Sequence, residues 1–178
     1  MGLTQEENLI IQSYLNCILI ASLKRDNFFE SKYFNELDYG DDAMKKELKK
    51  IGILNTGMVA SLLYSMLVLP KEKILKIYKS EFNKLNESID KIKDKATNSN
   101  YPEDRELIDY VRHIRNALTH GNISVGDGTY VEFYDEDKFK NPIKTCTIRI
   151  PLNKLGYILG ELQQILHQYI NDIQLRNK

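Results

Sequence analysis

The segment Tyr110–His120 concentrates the side chains that are best suited to chemistry. It holds two of the three histidines of the 178-residue chain, together with two arginines and an asparagine. On a helix, which turns by about 100° per residue, these polar side chains gather on one side. That side comprises Arg112, His113, Asn116 and His120, with Arg115 on its flank. Because a solvated helix face normally carries Lys and Glu, this composition indicates a functional site.

An imidazole beside a guanidinium can cleave RNA by transesterification. The His120 imidazole can move the proton of the 2′-hydroxyl or of the leaving group, while the Arg115 guanidinium stabilises charge on the phosphate. The helix dipole favours a charged imidazole at position 120, where the predicted helix ends. This chemistry requires neither a metal nor a cofactor.

The spacing of Arg115 and His120 favours a homodimer. The two residues lie about 140° apart round a helix, so one copy does not easily clamp a phosphate, whereas two copies in an isologous pair can. For His113 we favour packing at the seam between the copies. Arg112 fits either a contact with the RNA backbone or an interface salt bridge, and the sequence leaves both open. A purely structural role, with the histidine capping carbonyls and the arginine paired to an acid, is the alternative.

Composition narrows the function classes. The 25 Lys and Arg residues balance 25 Asp and Glu residues, which excludes a nonspecific nucleic-acid coat protein but allows a local basic site. Cys17 and Cys146 are far apart in sequence, so a zinc or redox motif is excluded. The acidic start lacks the basic region of a secretory signal. We expect a cytoplasmic protein.

One uncharged stretch, Ile51–Leu69, is long enough to raise the question of a membrane span. It contains glycine, serine and asparagine, and the sequence has no second stretch like it. We therefore predict a buried central helix and no membrane segment.

The elements around these residues are predominantly helical. The patterns predict helices from Thr4 to about Lys24, from Asp41 or Asp42 to Leu69, from Lys71 to about Ala96, from Pro102 to His120 with a stop at Gly121, and from about Asn153 to Arg176. In the fourth helix the core-facing residues are predicted to be Leu107, Val111, Ile114 and Leu118. Asp26–Gly40 and Gly121–Gly128 are predicted loops.

Two alternating segments, Thr129–Tyr134 and Thr145–Ile150, precede the last helix. They are rich in β-branched and aromatic residues and predict a β-hairpin. The sequence thus predicts a mainly α fold in one domain, residues 1–178. This domain is a bundle of about five helices with a hairpin inserted at about 129–150.

The motif Arg115-Asn116-Ala117-Leu118-Thr119-His120 resembles that of HEPN-domain proteins, in which an arginine and a polar residue precede a histidine near the end of a helix. The helical bundle, the position of the motif before a final helix and the small length are also similar to that family. The run from Asn55-Thr56-Gly57 to Pro70-Lys71-Glu72, with the hairpin after the motif, looks most like a plasmid pEK499-type HEPN branch.

The resemblance implies a metal-independent endoribonuclease in a toxin, defence or mobile-element setting. Two protomers would pair their motifs in one cleft, with Arg115 and His120 catalytic and Asn116 supporting the orientation of the site. RNA is the implied substrate, and an antitoxin protein is a further partner that the resemblance leaves open. Two alternatives also stay open: a non-catalytic HEPN-like module that binds RNA or protein, and a helical adaptor whose polar face is a dimer seam.

Overall fold

The computed structural model describes residues 2–176, except for the side chains of residues 71–73. Met1, Asn177 and Lys178, at the ends of the predicted 1–178 domain, lie outside the described residues. Over residues 2–176 the chain forms eight α-helices and one four-stranded antiparallel sheet. The prediction of a mainly α fold with a small β component is therefore confirmed.

The helices, in chain order, are α1 (Gln5–Arg25), α2 (Lys32–Glu36), α3 (Asp42–Ile51), α4 (Thr56–Leu63), α5 (Lys71–Ile77), α6 (Lys79–Ile92), α7 (Tyr110–His120) and α8 (Leu155–Arg176). A π-helical turn, Tyr64–Val68, continues α4. Short 3₁₀ turns occupy Phe28–Glu30, Pro102–Asp104 and Leu152–Lys154.

The first helix begins as its capping residues predict. The Thr4 hydroxyl accepts a hydrogen bond from the Glu7 backbone N–H at 3.1 Å, and the Glu7 carboxylate accepts one from the Thr4 N–H at 2.9 Å. These reciprocal bonds satisfy two backbone donors that the helix itself leaves free. The predicted start of α1 is confirmed.

Several of the predicted helix and loop boundaries are wrong. The helix predicted to run through Leu69 is interrupted after α3, because Gly52 adopts φ 75° and Asn55 caps α4 through its side chain. The helix predicted from Lys71 is divided at Tyr78 into α5 and α6. The predicted loop Asp26–Gly40 contains the short α2, which Ser31 caps.

The uncharged stretch is largely interior in its second half, where Leu63, Met66 and Leu67 are buried. Over residues 2–176, no single helix is long and apolar enough to cross a membrane. The pair formed by α3 and the segment Thr56–Val68 passes that test only jointly, and it is bent by 68°.

The sheet has the order β1-β4-β3-β2, with β1 at Asn98–Ser99, β2 at Ile123–Gly126, β3 at Tyr130–Asp137 and β4 at Lys144–Pro151. The segments predicted as a hairpin lie in β3 and β4, where Phe133 pairs with Ile148 and Asp135 with Cys146. The two additional strands are short and fall where the sequence predicted a helix break and a loop. A sheet rather than a lone hairpin therefore covers one side of α7.

Helix α7 occupies the centre of the fold. It packs against β3, against α6 and against the π-helical turn. Tyr110, Ile114 and Ala117 are buried in the core that these elements share. Every polar side chain of α7 consequently faces the sheet, α6 or solvent, and its position relative to those neighbours decides what it can do.

Candidate functional site

Helix α7 begins later than the sequence predicts, at Tyr110 rather than at Pro102. Asp109 caps it by accepting the Arg112 N–H, and Asn86 on α6 accepts the Val111 N–H at 2.9 Å. The Asn86 amide also donates to the Asp109 carboxylate at 3.2 Å. These contacts use the first backbone donors of the helix and fix its start against α6. Leu107 lies before α7 and is 38% exposed, so its predicted core position is wrong.

The end of α7 is where the sequence predicts it. Gly121 has φ 70°, a left-handed conformation that favours glycine. Its N–H bonds the Leu118 carbonyl, and the Asn122 N–H bonds the Ala117 carbonyl at 2.9 Å. This Schellman-type arrangement stops the helix directly after His120 and leaves that imidazole exposed.

Arg115 borders a cavity of about 370 Å³ between α7 and the α5–α6 region. Among the residues whose side chains are described, four cations line this cavity, Lys76, Lys79, Arg112 and Arg115, and one acid, Asp109. We refer to it as the basic cavity. Over residues 2–176, the Arg115 guanidinium forms no ion pair and no hydrogen bond. Its charge is therefore available to a ligand.

His120 and Asn116 border a different depression, of about 660 Å³, on the sheet side of α7. Its acids are Glu103, Asp135, Glu136 and Asp137, and its cations are Arg112 and Lys138. We refer to it as the acidic groove. Lys138 pairs with Glu136 at 2.8 Å, so its charge is already balanced. The His120 ring has no hydrogen-bond partner over residues 2–176.

His113 is buried, which corrects its predicted place on the outward polar face and at a dimer seam. Its ring is 1% exposed and lies between two carboxylates. Nδ1 is 2.6 Å from Asp135 on β3, and Nε2 is 2.8 Å from Asp104. The Tyr101 ring packs on it with centroids 4.7 Å apart. The reason is that the sheet covers this side of α7, and Asp135 on the sheet and Asp104 on the preceding 3₁₀ turn supply acceptors for the imidazole.

The two carboxylates determine the electrostatics of this buried cluster. Burial raises the pKa of the Asp135 carboxyl, but hydrogen bonds from His113 and Asn116 outweigh it and hold the pKa below the usual value. Each ring nitrogen of His113 therefore lies within hydrogen-bond distance of a carboxylate, one on β3 and one on the 3₁₀ turn before α7. We call Asp104, His113 and Asp135 the buried Asp–His–Asp cluster.

Arg112 and Asn116 are tied to this cluster. The Arg112 guanidinium lies 3.3 Å from both Glu103 and Asp104 and covers the Tyr101 ring at 5.3 Å. The Asn116 amide donates to Asp135 at 3.1 Å. Of the two roles that the sequence left open for Arg112, neither is tested, and its ion pairs are within its own chain.

A family model, HEPN pEK499 p136, matches residues 1–173. The chain belongs to this HEPN family. No curated protein and no solved structure matches the chain significantly.

In this HEPN chain, α7 separates the two motif residues that the sequence singled out. Arg115 lines the basic cavity and His120 lines the acidic groove, so the structure does not bring the two side chains together within one chain. Neither side chain is locked inside its own chain. Arg112 and His113, by contrast, both lie within ion-pair distance of carboxylates of their own chain.

The sequence interpretation missed the acids that hold this site. In β3 the alternation places Asp135 on the same inward side as Val131 and Phe133, and a charged residue at an inward strand position signals a buried partner. No comparable signal marked Asp104, which follows a proline in an apparently ordinary helix start. The contribution of Lys76 and Lys79 to the Arg115 surroundings also requires the tertiary structure.

One group of side chains has the composition of a metal site. Asp104, His113 and Cys146 offer ligand atoms within 4.8 Å of one another, although sequence spacing gave no sign of it. Two features oppose a cation there. The Arg112 guanidinium lies 2.9 Å from His113 Nε2, and burial raises the pKa of the Cys146 thiol to about 12. The residues therefore fit a hydrogen-bonded cluster better than a metal centre.

Proposed function

We propose that this HEPN protein is a metal-independent endoribonuclease whose catalytic residues are Arg115 and His120. In the reaction, the RNA 2′-oxygen attacks the adjacent phosphorus, the P–O2′ bond forms and the P–O5′ bond breaks. His120 transfers a proton from the 2′-hydroxyl or to the leaving 5′-oxygen, and Arg115 stabilises the negative charge that develops on the phosphate. The products are a 2′,3′-cyclic phosphate and a 5′-hydroxyl.

The observation that carries this proposal is that some polar side chains of α7 are paired with acids and others are not. Arg112 and His113 are held by carboxylates, whereas Arg115 and His120 have no side-chain partner over residues 2–176. Solvent-accessible side chains without a partner add almost nothing to folding, so their presence on a central helix points to a ligand. The arginine and the histidine of the family motif are the two residues without a partner, Arg115 and His120.

The placement of Arg115 and His120 in separate depressions supports a dimeric site. The acidic groove around His120 repels phosphate, and both of the Lys and Arg side chains described on its lining, Arg112 and Lys138, are paired with carboxylates. An Arg115 from a second protomer would supply the missing charge beside His120. The motif residues of two protomers would then act on one phosphate, which is the homodimer that we propose.

Cleavage of RNA in the presence of EDTA tests the proposal. We expect Arg115→Ala and His120→Ala each to lower the cleavage rate by about 10²-fold or more, with folding preserved because both side chains lie outside the core. Arg105→Ala and His167→Ala are the matched controls and should retain the wild-type rate. Activity that requires a divalent ion, or that survives both motif substitutions, contradicts the assignment.

A second candidate is a non-catalytic module that binds RNA at the basic cavity or a protein at the acidic groove, and the carboxylates of that groove favour the protein. Such a groove suits a basic protein segment better than a phosphate. RNA binding that depends on Arg115, without any cleavage and without an effect of His120→Ala, would identify the module instead of the nuclease.

A further inference from the structure

The basic cavity owes its shape to the break between α5 and α6. At Tyr78 the backbone leaves helical geometry, with φ −107° and ψ 38°, and the Tyr78 hydroxyl donates to Asp172 on α8. The break is therefore anchored in the core, where Tyr78 is buried. Lys76 before it and Lys79 after it both border the cavity, opposite Arg115. Two helices thus bring their cations to one opening.

The charges around this cavity are not balanced. Lys79 and Arg115 have no ion pair over residues 2–176. Asp109, the one acid on the lining, already accepts hydrogen bonds from Asn86 and from the start of α7. Two unpaired cations facing one opening attract an anion, and the field inside a concave surface is stronger than on a flat one.

The floor of the cavity is apolar. Of the apolar lining residues, Phe82 and Val111 are buried and Leu75 is half-buried, whereas Lys79 and Asn83 are exposed. We call the three apolar residues the floor and the exposed ones the rim. A volume of about 370 Å³ lies within the roughly 300–1,000 Å³ of small-molecule pockets. A charged rim that also carries the Asn83 amide, over an apolar floor, fits a ligand that has both an anionic group and a flat aromatic ring. A nucleotide has both.

We infer that the basic cavity is a subsite for one nucleotide of single-stranded RNA, next to the link that is cleaved. The phosphate lies between Lys79 and Arg115, and the base rests on the apolar floor. This inference rests on the proposed function, because Arg115 is shared between the cavity and the motif. RNA is favoured over a free nucleotide because the cavity is open at the surface and borders Arg115, the residue that we place at the cleaved phosphate.

Binding of an uncleavable RNA tests the subsite separately from catalysis. The probe is a labelled, 2′-O-methylated single strand of about ten nucleotides, within the usual site size of such surfaces, titrated against the full chain at several salt concentrations. Lys79→Ala should weaken binding several-fold and lower the slope of log K against log salt by about 0.7, the value for one phosphate contact on a single strand. Lys84→Ala, on the same helix but at a different depression, should change neither quantity.

The outcomes separate the subsite from the nuclease. If Lys79→Ala weakens RNA binding but His120→Ala leaves the cleavage rate unchanged, the subsite is retained and the catalytic assignment of His120 is wrong. Equal effects of Lys79→Ala and Lys84→Ala, or no binding of the probe by the wild type, overturn the subsite. A third arm uses AMP and inorganic phosphate as competitors. If Lys79→Ala weakens AMP binding but leaves the RNA affinity and salt slope unchanged, the cavity serves free nucleotides and the inference is wrong.

Discussion

Basic side chains on the two flanks of α7 have opposite surroundings: acids hold those on one flank, and an unpaired arginine lies on the other. On the sheet side, His113 and Arg112 are held by Asp104, Asp135 and Glu103, and the imidazole is almost fully buried. On the α6 side, Arg115 faces a cavity with more positive than negative charge and has no partner over residues 2–176. Residue type alone therefore does not identify a functional cation; the acids supplied by neighbouring elements do.

This difference between the flanks also indicates which residues contribute to stability and which to function. The buried Asp–His–Asp cluster fixes one arrangement of α7 on the sheet, and removing one member leaves its buried polar neighbours without a partner. Exposed, unpaired cations add almost nothing to folding. Substitutions on the two flanks should accordingly produce opposite profiles: unfolding without a specific binding defect, or a binding defect without unfolding.

The largest expected effect is on stability, from Asp135→Ala. Removing this carboxylate leaves the buried His113 ring and the Asn116 amide without their shared acceptor, which should lower the free energy of unfolding by about 3–5 kcal/mol. Chemical denaturation of the purified protein measures it. Lys79→Ala on the opposite flank should change the same quantity by less than about 0.5 kcal/mol. Similar losses from both substitutions contradict the division between the flanks.

A smaller effect is expected from acid. The pKa of Asp135 is held below its ordinary value of 3.8, so the folded state binds fewer protons than the unfolded state near that pH. Its contribution to stability is fully present above the unfolded pKa and disappears as the pH falls through the folded pKa.

The comparison with Asp135→Asn isolates this contribution. The difference in unfolding free energy between the wild type and this variant should be constant from pH 7 to about 5 and should shrink as the pH falls below about 4. Denaturant titrations at each pH measure it. A difference that stays the same at low pH would show that the Asp135 carboxylate is not selectively stabilised by the cluster.

The smallest expected effect on stability is at the C-terminal end of α7. Gly121→Ala places a side chain at φ 70° and should cost about 1 kcal/mol, although no atom lies within 4 Å of the added Cβ. Gly160→Ala, within α8 and also in open space, should instead be neutral or stabilising. Thermal unfolding of the two variants compares them directly. The same sign for both would mean that the left-handed turn does not determine where α7 ends.

Local signals predicted a good part of the fold. The capping box at Thr4 and the glycine after His120 are short-range features, and the structure confirms both ends. The sequence did not predict the helix breaks at Gly52–Asn55 and at Tyr78, because the apolar periodicity continues across both. The backbone nevertheless bends at these positions to fit the core. The strands Asn98–Ser99 and Ile123–Gly126 are too short to show alternation and form because β4 and β3 offer paired edges.

The candidate site was predictable only in part. The motif on α7 placed Arg115, Asn116 and His120 on one helix, as found. The orientation of His113 depends on Asp104 and Asp135, which lie 9 and 22 residues away in sequence. Helix periodicity identifies a face but not what packs on it, so the sequence did not indicate that half of the polar face is structural.

Mixing two inactive variants tests the central claim most directly. If Arg115 of one protomer acts with His120 of its partner, Arg115→Ala and His120→Ala proteins should each be inactive in EDTA. After they are unfolded and refolded together, up to roughly a quarter of the wild-type cleavage rate should return, because about half of the dimers are mixed and each retains one complete Arg/His pair. A mixture that stays as inactive as its components contradicts a site shared between protomers.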